Sequence, residues 1–383
     1  MKRVLIVTGE ASGDLHGANL IRAAGRLTPQ LRFFGAGGPR MAEAGCEILV
    51  PGEEIAVMGL VEVLGHLPVI RRAFKRLSAI LENPAERPAA LVLIDFPDFN
   101  LRLARVAKRA GVPVLYYVSP QVWAWRQGRV KKIAAVVDSL AAILPFEPEF
   151  YRGLPIRVEY VGHPLLDEFR IDRERDAFLA GIGIDGGRPV VGLFPGSRRS
   201  ELHYNLGVML DAAALVQRRQ PDVAFLLPVA PTLERSAIEA QLLQRQLPVT
   251  LVDGNIYDVA NACHAVLAVS GTVTLQIALA GAPMAIVYRM SPLTYAIGKR
   301  LVKVPYIGLA NIVAGEGVVR EFIQERATAD NLAGEILHIL HDPGYAAQLR
   351  QGLSKVRGLL GTPGCSGRVA AMLAALIEEQ GHA

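Results

Sequence analysis

Two carboxylates and an amide follow one apolar run, at a position suited to acid–base chemistry. Leu91–Ile94 has the composition of a buried strand, and Asp95, Asp98 and Asn100 follow it closely. In doubly wound folds the ligand binds beyond the carboxyl ends of the strands, where a carboxylate can take a proton from a hydroxyl. One of the two aspartates could instead cap a helix that begins near Leu101. We therefore predict that at least one of them is a general base.

The first strand of the chain is followed by a second group of polar side chains. After Val4–Val7, Gly9 and Gly13 permit a tight turn into a helix. The polar residues of this turn are Glu10, Ser12, Asp14 and His16. Helix capping by Ser12 and Asp14 would explain only half of them. The spacing is not that of a GxGxxG motif, so the turn gives little support for a dinucleotide site, but its polar side chains lie where doubly wound folds bind ligands.

Both tryptophans of the chain lie in the loop after a strand predicted at Val114–Val118. The polar and aromatic residues of this loop are Gln121, Trp123, Trp125 and Arg126. Aromatic faces beside polar groups are suited to stacking on a sugar ring, although anchoring in the core explains one of the two equally well. We predict that this loop contributes to substrate binding.

The second half of the chain also begins with a strand and a glycine-containing turn. Val190–Phe194 is followed by Gly196, Ser197 and Arg198 at the start of a predicted helix. The helix dipole disfavours a cation at that end, so a bound anion is expected to offset Arg198.

A further turn of this kind follows the predicted strand Val266–Val269. The turn and the start of its helix contain Ser270, Gly271, Thr272, Thr274 and Gln276. Free N–H groups, hydroxyls and the positive end of the dipole favour a phosphate here, although an ordinary Ser/Thr cap is the simpler alternative. No charged residue lies between Asp258 and Arg289. The glycines, Pro283 and polar side chains of that run nevertheless argue against a membrane span.

These turns require two parallel sheets to position them. Strands and helices alternate in both halves, and 383 residues suit two domains. We predict an α/β chain with two Rossmann-like, doubly wound domains that face a central cleft. The expected divisions are an acceptor-binding and membrane-facing domain over residues 1–165, a UDP-sugar-binding domain over 166–345, and helices over 346–383 that return to the first domain.

Composition narrows the class of protein. The net charge of +5 is too small to indicate nucleic acid by itself, but it is compatible with phosphorylated substrates or an anionic membrane. Cys46, Cys263 and Cys365 are scattered without metal-ligand spacing, which is typical of reduced thiols in a cytosolic protein. We expect no metal and no cofactor.

One apolar segment carries a cluster of cations at its end. Val57–Leu77 is interrupted by Pro68, which favours two short helices, and it contains Arg71, Arg72, Lys75 and Arg76. Core packing is the ordinary explanation. The alternative is a surface that sits in a membrane interface, with Met58, Leu60, Val61, Leu64, Leu67 and Ile70 exposed to lipid.

Five motifs together resemble the lipid-A-disaccharide synthase family, glycosyltransferase family 19. They occur in the family's order across nearly the whole chain: Glu10–Ala18, Ile94–Asn100, Val118–Arg126, Pro195–Arg198 and Ser270–Thr272. The resemblance implies a GT-B fold and an inverting transfer from UDP-2,3-diacylglucosamine to 2,3-diacylglucosamine 1-phosphate, lipid X. The products would be UDP and a β-1,6 disaccharide 1-phosphate. The reaction would be a step of lipid A biosynthesis. The resemblance further implies a cytoplasmic protein on the inner face of the inner membrane, and it allows a homodimer with exchanged C-terminal helices.

The resemblance assigns roles to the turns described above. Asp98, with Glu10 and Asp95, would be catalytic. The acceptor side would comprise Ser12, His16, Asn100, Gln121, Trp123, Trp125 and Arg126. UDP would be bound by Gly196, Ser197, Arg198, Ser270, Gly271, Thr272, Thr274, Gln276 and Asn311. Gln276 departs from the family's glutamate and loses a charge-assisted hydrogen bond, and Ala310 replaces the proline that usually precedes Asn311.

Two alternatives remain open at this stage. A UDP-GlcNAc 2-epimerase-like enzyme, or another GT-B enzyme acting on a soluble substrate, would explain the two halves but not the tryptophan loop. A binding protein that has lost catalysis would explain Gln276.

Overall fold

A computed structural model describes residues 1–55, 60–125, 128–301 and 304–379, without the side chains of 11, 60–66, 124, 125, 297 and 301. The chain forms two compact units. The first comprises Met1–Asp167 with Leu360–Ala383, and the second comprises Glu168–Leu359.

The first unit is built on a seven-stranded parallel sheet of order β3-β2-β1-β4-β5-β6-β7. Its strands are β1 (Lys2–Val7), β2 (Leu31–Gly37), β3 (Glu47–Pro51), β4 (Ala90–Ile94), β5 (Val114–Tyr117), β6 (Ser139–Ala142) and β7 (Arg157–Tyr160). Its helices are α1 (Ala11–Leu27), α2 (Pro39–Glu43), α3 (Gly52–Ile55), α4 (Leu60–Glu82), α5 (Pro97–Arg109), α6 (Val122–Trp125), α7 (Arg129–Ala134) and α8 (Leu165–Glu168), with a 3-10 turn at Glu147–Tyr151.

Helices cover both faces of this sheet. Leu5 and Val7 pack into one core with the inner faces of α4 and α5, whereas Val4 and Ile6 pack into a second core with α1 and the last helix of the chain. A strand buried on both sides is apolar at every position, which explains why the runs of Val, Ile and Leu predict the strands so closely.

The second unit repeats this architecture around a six-stranded parallel sheet of order β10-β9-β8-β11-β12-β13. Its strands are β8 (Val190–Phe194), β9 (Ala224–Pro228), β10 (Val249–Val252), β11 (Ala265–Val269), β12 (Met284–Tyr288) and β13 (Glu321–Ile323). Its helices are α9 (Arg175–Gly181), α10 (Arg199–Arg219), α11 (Arg235–Arg245), α12 (Ile256–Ala262), α13 (Val273–Ala280), α14 (Pro292–Leu301), α15 (Leu309–Ala314), α16 (Ala329–His341) and α17 (Pro343–Leu359), with a 3-10 turn at Gln324–Arg326. Two doubly wound parallel sheets confirm the predicted α/β fold class.

The C-terminal helices are divided between the two units. Helix α17 packs against α13 and α15 in the second unit, whereas α18 (Cys365–Glu379) packs against α1 in the first. The Asp167 carboxylate accepts hydrogen bonds from the backbone N–H groups of Gly364, Cys365 and Ser366 and so caps α18. The division at Leu359 differs from the sequence-based expectation, which sent all of residues 346–383 to the first domain.

Helix α4 differs from its prediction in two respects. It continues through Pro68 as one helix of 23 residues, so the expectation of two short helices is wrong. The burial of Ala73, Leu77 and Leu81 against the sheet offsets the hydrogen bond that proline removes. Ile70, expected on a lipid-facing surface, packs against the same core. Of the other residues expected there, Met58 and the side chains of Leu60, Val61 and Leu64 lie outside the described residues.

Two further observations bear on compartment and membrane. All three cysteines are buried free thiols. Among the helices within the described ranges, none combines the length and the apolar character that a membrane crossing requires.

Candidate functional site

The carboxyl edge of the first sheet contains three residues in the left-handed region of backbone conformation. Asp95 and Phe96 have φ of 46° after β4, and Val118 has φ of 63° after the neighbouring strand β5. A β-branched valine is rarely found there, since its side chain makes this conformation costly. Strain of this kind concentrates at functional sites and persists only where the surroundings enforce it.

Buried hydrogen bonds hold the Asp95 turn in this conformation. The Asp95 carbonyl accepts from the Tyr116 hydroxyl at 2.5 Å and from the Asn100 amide at 2.8 Å. Asn100 also donates to the Ile94 carbonyl, and its side chain is completely buried. The Asn100 amide nitrogen thus supports the turn that presents the aspartates, and its predicted contact with substrate stays a prediction.

This support can be tested on adjacent buried tyrosines. We expect Tyr116→Phe to lower the free energy of unfolding by about 1–2 kcal/mol, because it removes one hydrogen bond from the strained turn. Tyr117→Phe is the matched control, because the Tyr117 hydroxyl contacts the weakly polar Cys365 sulfur, at 3.3 Å, and Ser366, and makes no hydrogen bond to the strained turn among the described residues, so its loss should cost less. Urea unfolding of both variants measures the difference. Equal losses would show that the turn needs no such support.

Asp98 is the more accessible of the two aspartates. It lies in the first turn of α5, which begins at Pro97, four residues before the predicted start. Its side chain is 78% exposed, and its Oδ1 accepts from the Arg129 guanidinium at 2.6 Å. Within the described residues, Oδ2 makes no hydrogen bond, so it is available to a substrate hydroxyl. Asp95 is half-buried.

The turn after β1 is tightly packed. A Cβ on Gly13 would lie 1.9 Å from the Thr8 hydroxyl oxygen, and one on Gly9 would lie 3.2 Å from the Phe96 ring. The turn is thus packed against the Asp95–Phe96 turn of the neighbouring strand: a side chain at Gly13 would clash with Thr8, and one at Gly9 would require a small shift of the Phe96 ring.

The polar side chains of this turn have separate environments. Asp14 is buried and accepts from the backbone N–H groups of Gly38, Arg40 and Met41, so it caps α2. Glu10 is half-buried at the start of α1, and Ser12 is exposed. His16 is half-buried against the Tyr117 ring, with the centroids 6.0 Å apart.

The tryptophan loop is partly a core element. Trp123 is 3% exposed, and its ring packs edge-on against Phe146 with the centroids 5.3 Å apart. Trp123 is therefore packed as a core anchor, the alternative left open for one of the two tryptophans, and its contact with a sugar stays a prediction. Gln121 is exposed. The Trp125 side chain and Arg126, both predicted to bind substrate, lie outside the described residues.

A buried carboxyl beneath this loop was not predicted from the sequence. Glu147 is 2% exposed, and its Oε2 accepts from the backbone N–H groups of Ile143 and Leu144. Burial raises the pKa of Glu147 from 4.5 to about 7, because it outweighs these hydrogen bonds to the charged form. Nothing in the local sequence, Pro-Phe-Glu-Pro, signals that burial.

The Glu147 pKa predicts how stability changes with pH. Between pH 4.5 and about 7 the folded chain holds a proton on Glu147 that the unfolded chain releases, so raising the pH lowers the free energy of unfolding. We expect Glu147→Gln to remove this trend. Its free energy of unfolding should therefore rise by about 2 kcal/mol relative to that of the natural chain as the pH increases from 5 to 7. Urea unfolding at four pH values measures the gain. Glu149→Gln, at an exposed position nearby, is the control, and parallel curves for all three proteins would contradict the prediction.

Three helices that carry predicted UDP contacts, α10, α13 and α15, begin at the carboxyl edge of the second sheet. At the first, α10, the Glu201 carboxylate accepts from the backbone N–H groups of Ser197 and Arg198 at 3.0 and 3.3 Å. Glu201 also lies 3.8 Å from the Arg198 guanidinium. An anion does offset the cation here, but the chain itself supplies it. The position of Arg198 at this helix N-terminus is therefore explained without a bound anion.

A second carboxylate caps the N-terminus of α15. Glu321 accepts from the backbone N–H groups of Ile307 and Gly308 and from the Asn311 amide. Asn311 is completely buried and also exchanges two hydrogen bonds with the Val319 backbone. Every polar atom of its side chain has an internal partner, and its predicted contact with the nucleotide stays a prediction.

The third N-terminus, that of α13, is open. The backbone N–H groups of Gly271, Thr272 and Val273 have no hydrogen-bond partner within the part of the chain that the structure describes. Thr272 is exposed, and the Ser270 hydroxyl is fixed by its donation to the Ile307 carbonyl at 2.6 Å. Three free donors at the positive end of a helix form an anion site.

Two other predicted nucleotide contacts behave differently. Thr274 is completely buried, and its hydroxyl donates to the Gly271 carbonyl, so it supports the turn, and its predicted contact with UDP stays a prediction. Gln276 is half-buried one turn into α13, beside the Tyr257 hydroxyl. Within the described ranges there is no group of three or more His, Cys, Asp or Glu placed to hold a metal.

Solved structures with the same architecture bind nucleotide sugars or transfer sugars. The UDP-GlcNAc 2-epimerase from Neisseria meningitidis, bound to UDP-GlcNAc, matches 97% of this chain and all of its own, with a TM-score of 0.66 and 12% identity. CalG4, the calicheamicin glycosyltransferase, matches 99% of this chain and 98% of its own, with a TM-score of 0.60 and 14% identity. Identities this low show the GT-B fold alone.

Sequence comparisons are more specific. The family model for lipid-A-disaccharide synthetase matches residues 4–366. The lipid-A-disaccharide synthase of Syntrophotalea carbinolica is 63% identical over 99% of this chain and 96% of its own length. That of Geobacter sulfurreducens is 54% identical over 99% of this chain and 98% of its own. This chain therefore belongs to the lipid-A-disaccharide synthase family.

Proposed function

We propose that this chain is an inverting glycosyltransferase of lipid A biosynthesis. It transfers 2,3-diacylglucosamine from UDP to the 6-hydroxyl of 2,3-diacylglucosamine 1-phosphate, giving the β-1,6 disaccharide 1-phosphate and UDP. The observation that carries the proposal is family membership over nearly the full length, at up to 63% identity. The two units supply the groups that this reaction requires.

The second unit binds the leaving group. The free N–H groups of Gly271, Thr272 and Val273 receive the diphosphate at the open end of α13. Strands β8 and β11 are neighbours in the sheet, so the Gly196–Arg198 loop lies beside this turn. Glu201 fixes that loop through its backbone and leaves the Arg198 side chain 60% exposed, where it meets a phosphate oxygen. Positive groups here stabilise the charge that develops on UDP as the sugar departs.

The first unit activates the acceptor. The free Oδ2 of Asp98 takes the proton of the 6-hydroxyl, and the oxygen attacks C1 of the donor sugar. The new bond joins that oxygen to C1, and the bond between C1 and the phosphate oxygen breaks, so the configuration at C1 inverts. Asp95 and Glu10, on the same edge, assist, and the acceptor is held by Ser12, His16, Gln121, Trp125 and Arg126.

Both substrates are acylated, so the enzyme works at the cytoplasmic surface of the inner membrane. The described part of α4 supports this proposal, since Arg71, Arg72, Lys75 and Arg76 are exposed along it. Each basic residue near an anionic bilayer contributes about 1 kcal/mol of binding. We extend the proposal to a homodimer in which the C-terminal helices are exchanged, since α18 is the last helix and packs against α1.

Mass spectrometry of the products tests the function directly. Purified protein is given UDP-2,3-diacylglucosamine and 2,3-diacylglucosamine 1-phosphate in detergent, and formation of the disaccharide 1-phosphate is expected. Turnover of a UDP-sugar without the lipid acceptor would instead support an epimerase-like activity. UDP-sugar binding without turnover of either kind would indicate a binding protein.

A further inference from the structure

One long stretch of the second unit contains cations but no acids. Between Asp258 and Glu316 the sequence has no Asp or Glu, whereas it has four Lys and Arg residues. Two of these four, Lys299 and Arg300, lie in the last turn of α14. An acid-free, cationic surface complements an anionic one.

Helix α14 stands at the edge of the sheet that carries the open diphosphate site. It begins at Pro292, four residues after β12 ends at Tyr288, and β12 is the neighbour of β11. Because β12 is parallel to β11, its carboxyl end lies at the same edge as the Ser270–Thr272 turn. An element at this position would bring the donor site close to whatever surface it contacts.

The surface of α14 is unusually exposed for its composition. Leu293 is 73% exposed, and Pro292, Thr294, Ala296, Lys299 and Arg300 are exposed with it. Neither Lys299 nor Arg300 forms an ion pair within the described residues, so both positive charges are available to a partner. The helix therefore combines an exposed large aliphatic side chain with uncompensated cations.

A single exposed leucine is ordinary on a protein surface, and the same unit provides a comparison. Leu243 on α11 is 79% exposed. The cations of α11 are neutralised, however, because Arg235 pairs with Glu239 and Arg245 pairs with Asp211. Of these two helices, α14 is the one in which the exposed leucine is accompanied by cations without an ion pair among the described residues.

We propose that α14 is a membrane-contacting helix that lies in the surface of an anionic bilayer. Its ten residues span about 15 Å, half the thickness of the hydrocarbon core, so the helix can lie in the interface but cannot cross it. Leu293 enters the acyl region while Lys299 and Arg300 meet lipid phosphates. The inference rests on the proposed function, since acylated substrates are what require the donor-binding unit to reach lipid.

Flotation of the purified full chain with vesicles tests this proposal. The vesicles contain phosphatidylcholine with phosphatidylglycerol, or phosphatidylcholine alone as the uncharged reference. We expect Leu293→Ser to lower the partition coefficient on anionic vesicles about tenfold. The double variant Lys299→Gln/Arg300→Gln should lower it about 30-fold, from the binding free energy of two basic residues. The natural chain should bind the uncharged vesicles more weakly than the anionic ones.

Leu243→Ser is the matched control, because its side chain is equally exposed but lies among paired charges. It should bind vesicles as the natural chain does, and all variants should keep their melting temperature. Unchanged binding of Leu293→Ser and the double variant would overturn the proposal, as would an equal loss in Leu243→Ser. Disaccharide formation in detergent is measured in parallel. Its absence in the natural chain would reject the proposed function, whereas the difference in vesicle binding between the α14 variants and the natural chain reports on α14.

Discussion

Asp98→Asn is expected to slow glycosyl transfer by a factor of about 10² to 10⁴, the contribution of one general base. The substitution keeps the shape of the side chain and its contact with Arg129, but it removes the basic oxygen. Binding of UDP should be unchanged, because the proposed UDP site lies on the second unit. Turnover of the acylated substrates in detergent, followed by mass spectrometry, measures the loss in kcat.

The exposure of Asp98 makes this result interpretable. The side chain is 78% exposed, so its replacement should leave the melting temperature within a few degrees of that of the natural chain. Asp95→Asn and Glu10→Gln are the comparisons on the same edge, and each should slow transfer less than Asp98→Asn. Near-normal turnover in Asp98→Asn would transfer the role of base to Asp95 or Glu10.

The strands and the site-bearing turns could be predicted because both are local in sequence. A strand covered on both faces must be apolar throughout, and Val190–Phe194 was predicted to the residue for that reason. The turns after β1, β4, β8 and β11 follow from the rule that ligands bind at the carboxyl edge. The short strand β3, Glu47–Pro51, was missed because charged and proline ends conceal a three-residue apolar centre.

The fate of each polar side chain could not be predicted, since it depends on partners brought near by folding. Asn311 is paired with Glu321, ten residues along the chain, and Trp123 with Phe146. Both look like ligand contacts in the sequence and are internal in the structure. The same holds for the two helix N-termini that Glu201 and Glu321 close. Only the structure distinguishes them from α13, which stays open.

The continuation of α4 through Pro68 shows tertiary packing overriding a local preference. A proline in a helix interior removes one hydrogen bond and crowds the preceding turn, at a cost of about 3 kcal/mol. Three buried side chains further along the helix, Ala73, Leu77 and Leu81, offset that cost through contacts with the sheet. A pattern read from residues 57–77 alone omits Leu81 and so underestimates the core-facing stripe.

Arg198→Ala is expected to weaken UDP binding about 10- to 100-fold, the range for a hydrogen bond to a charged group. It should slow transfer more, by about 10² to 10³, because the diphosphate gains charge as the sugar leaves. Calorimetry with UDP and turnover in detergent measure the two effects separately. A larger fall in kcat than in affinity is the signature of a group that acts on the leaving diphosphate.

Arg199→Ala is the control for Arg198→Ala, because the two arginines are adjacent at the start of α10 but differ in their partners. The Arg199 guanidinium donates to Glu234 at 2.5 Å, which neutralises it away from the turn. Arg198 faces Glu201 at 3.8 Å, too far for a hydrogen bond, so it can move to a phosphate oxygen without breaking one. Arg199→Ala should therefore change neither UDP affinity nor turnover by more than about twofold, the effect of losing a surface ion pair. Unchanged affinity in Arg198→Ala, or an equal loss in both variants, would leave the diphosphate to the N–H groups of Gly271, Thr272 and Val273 alone.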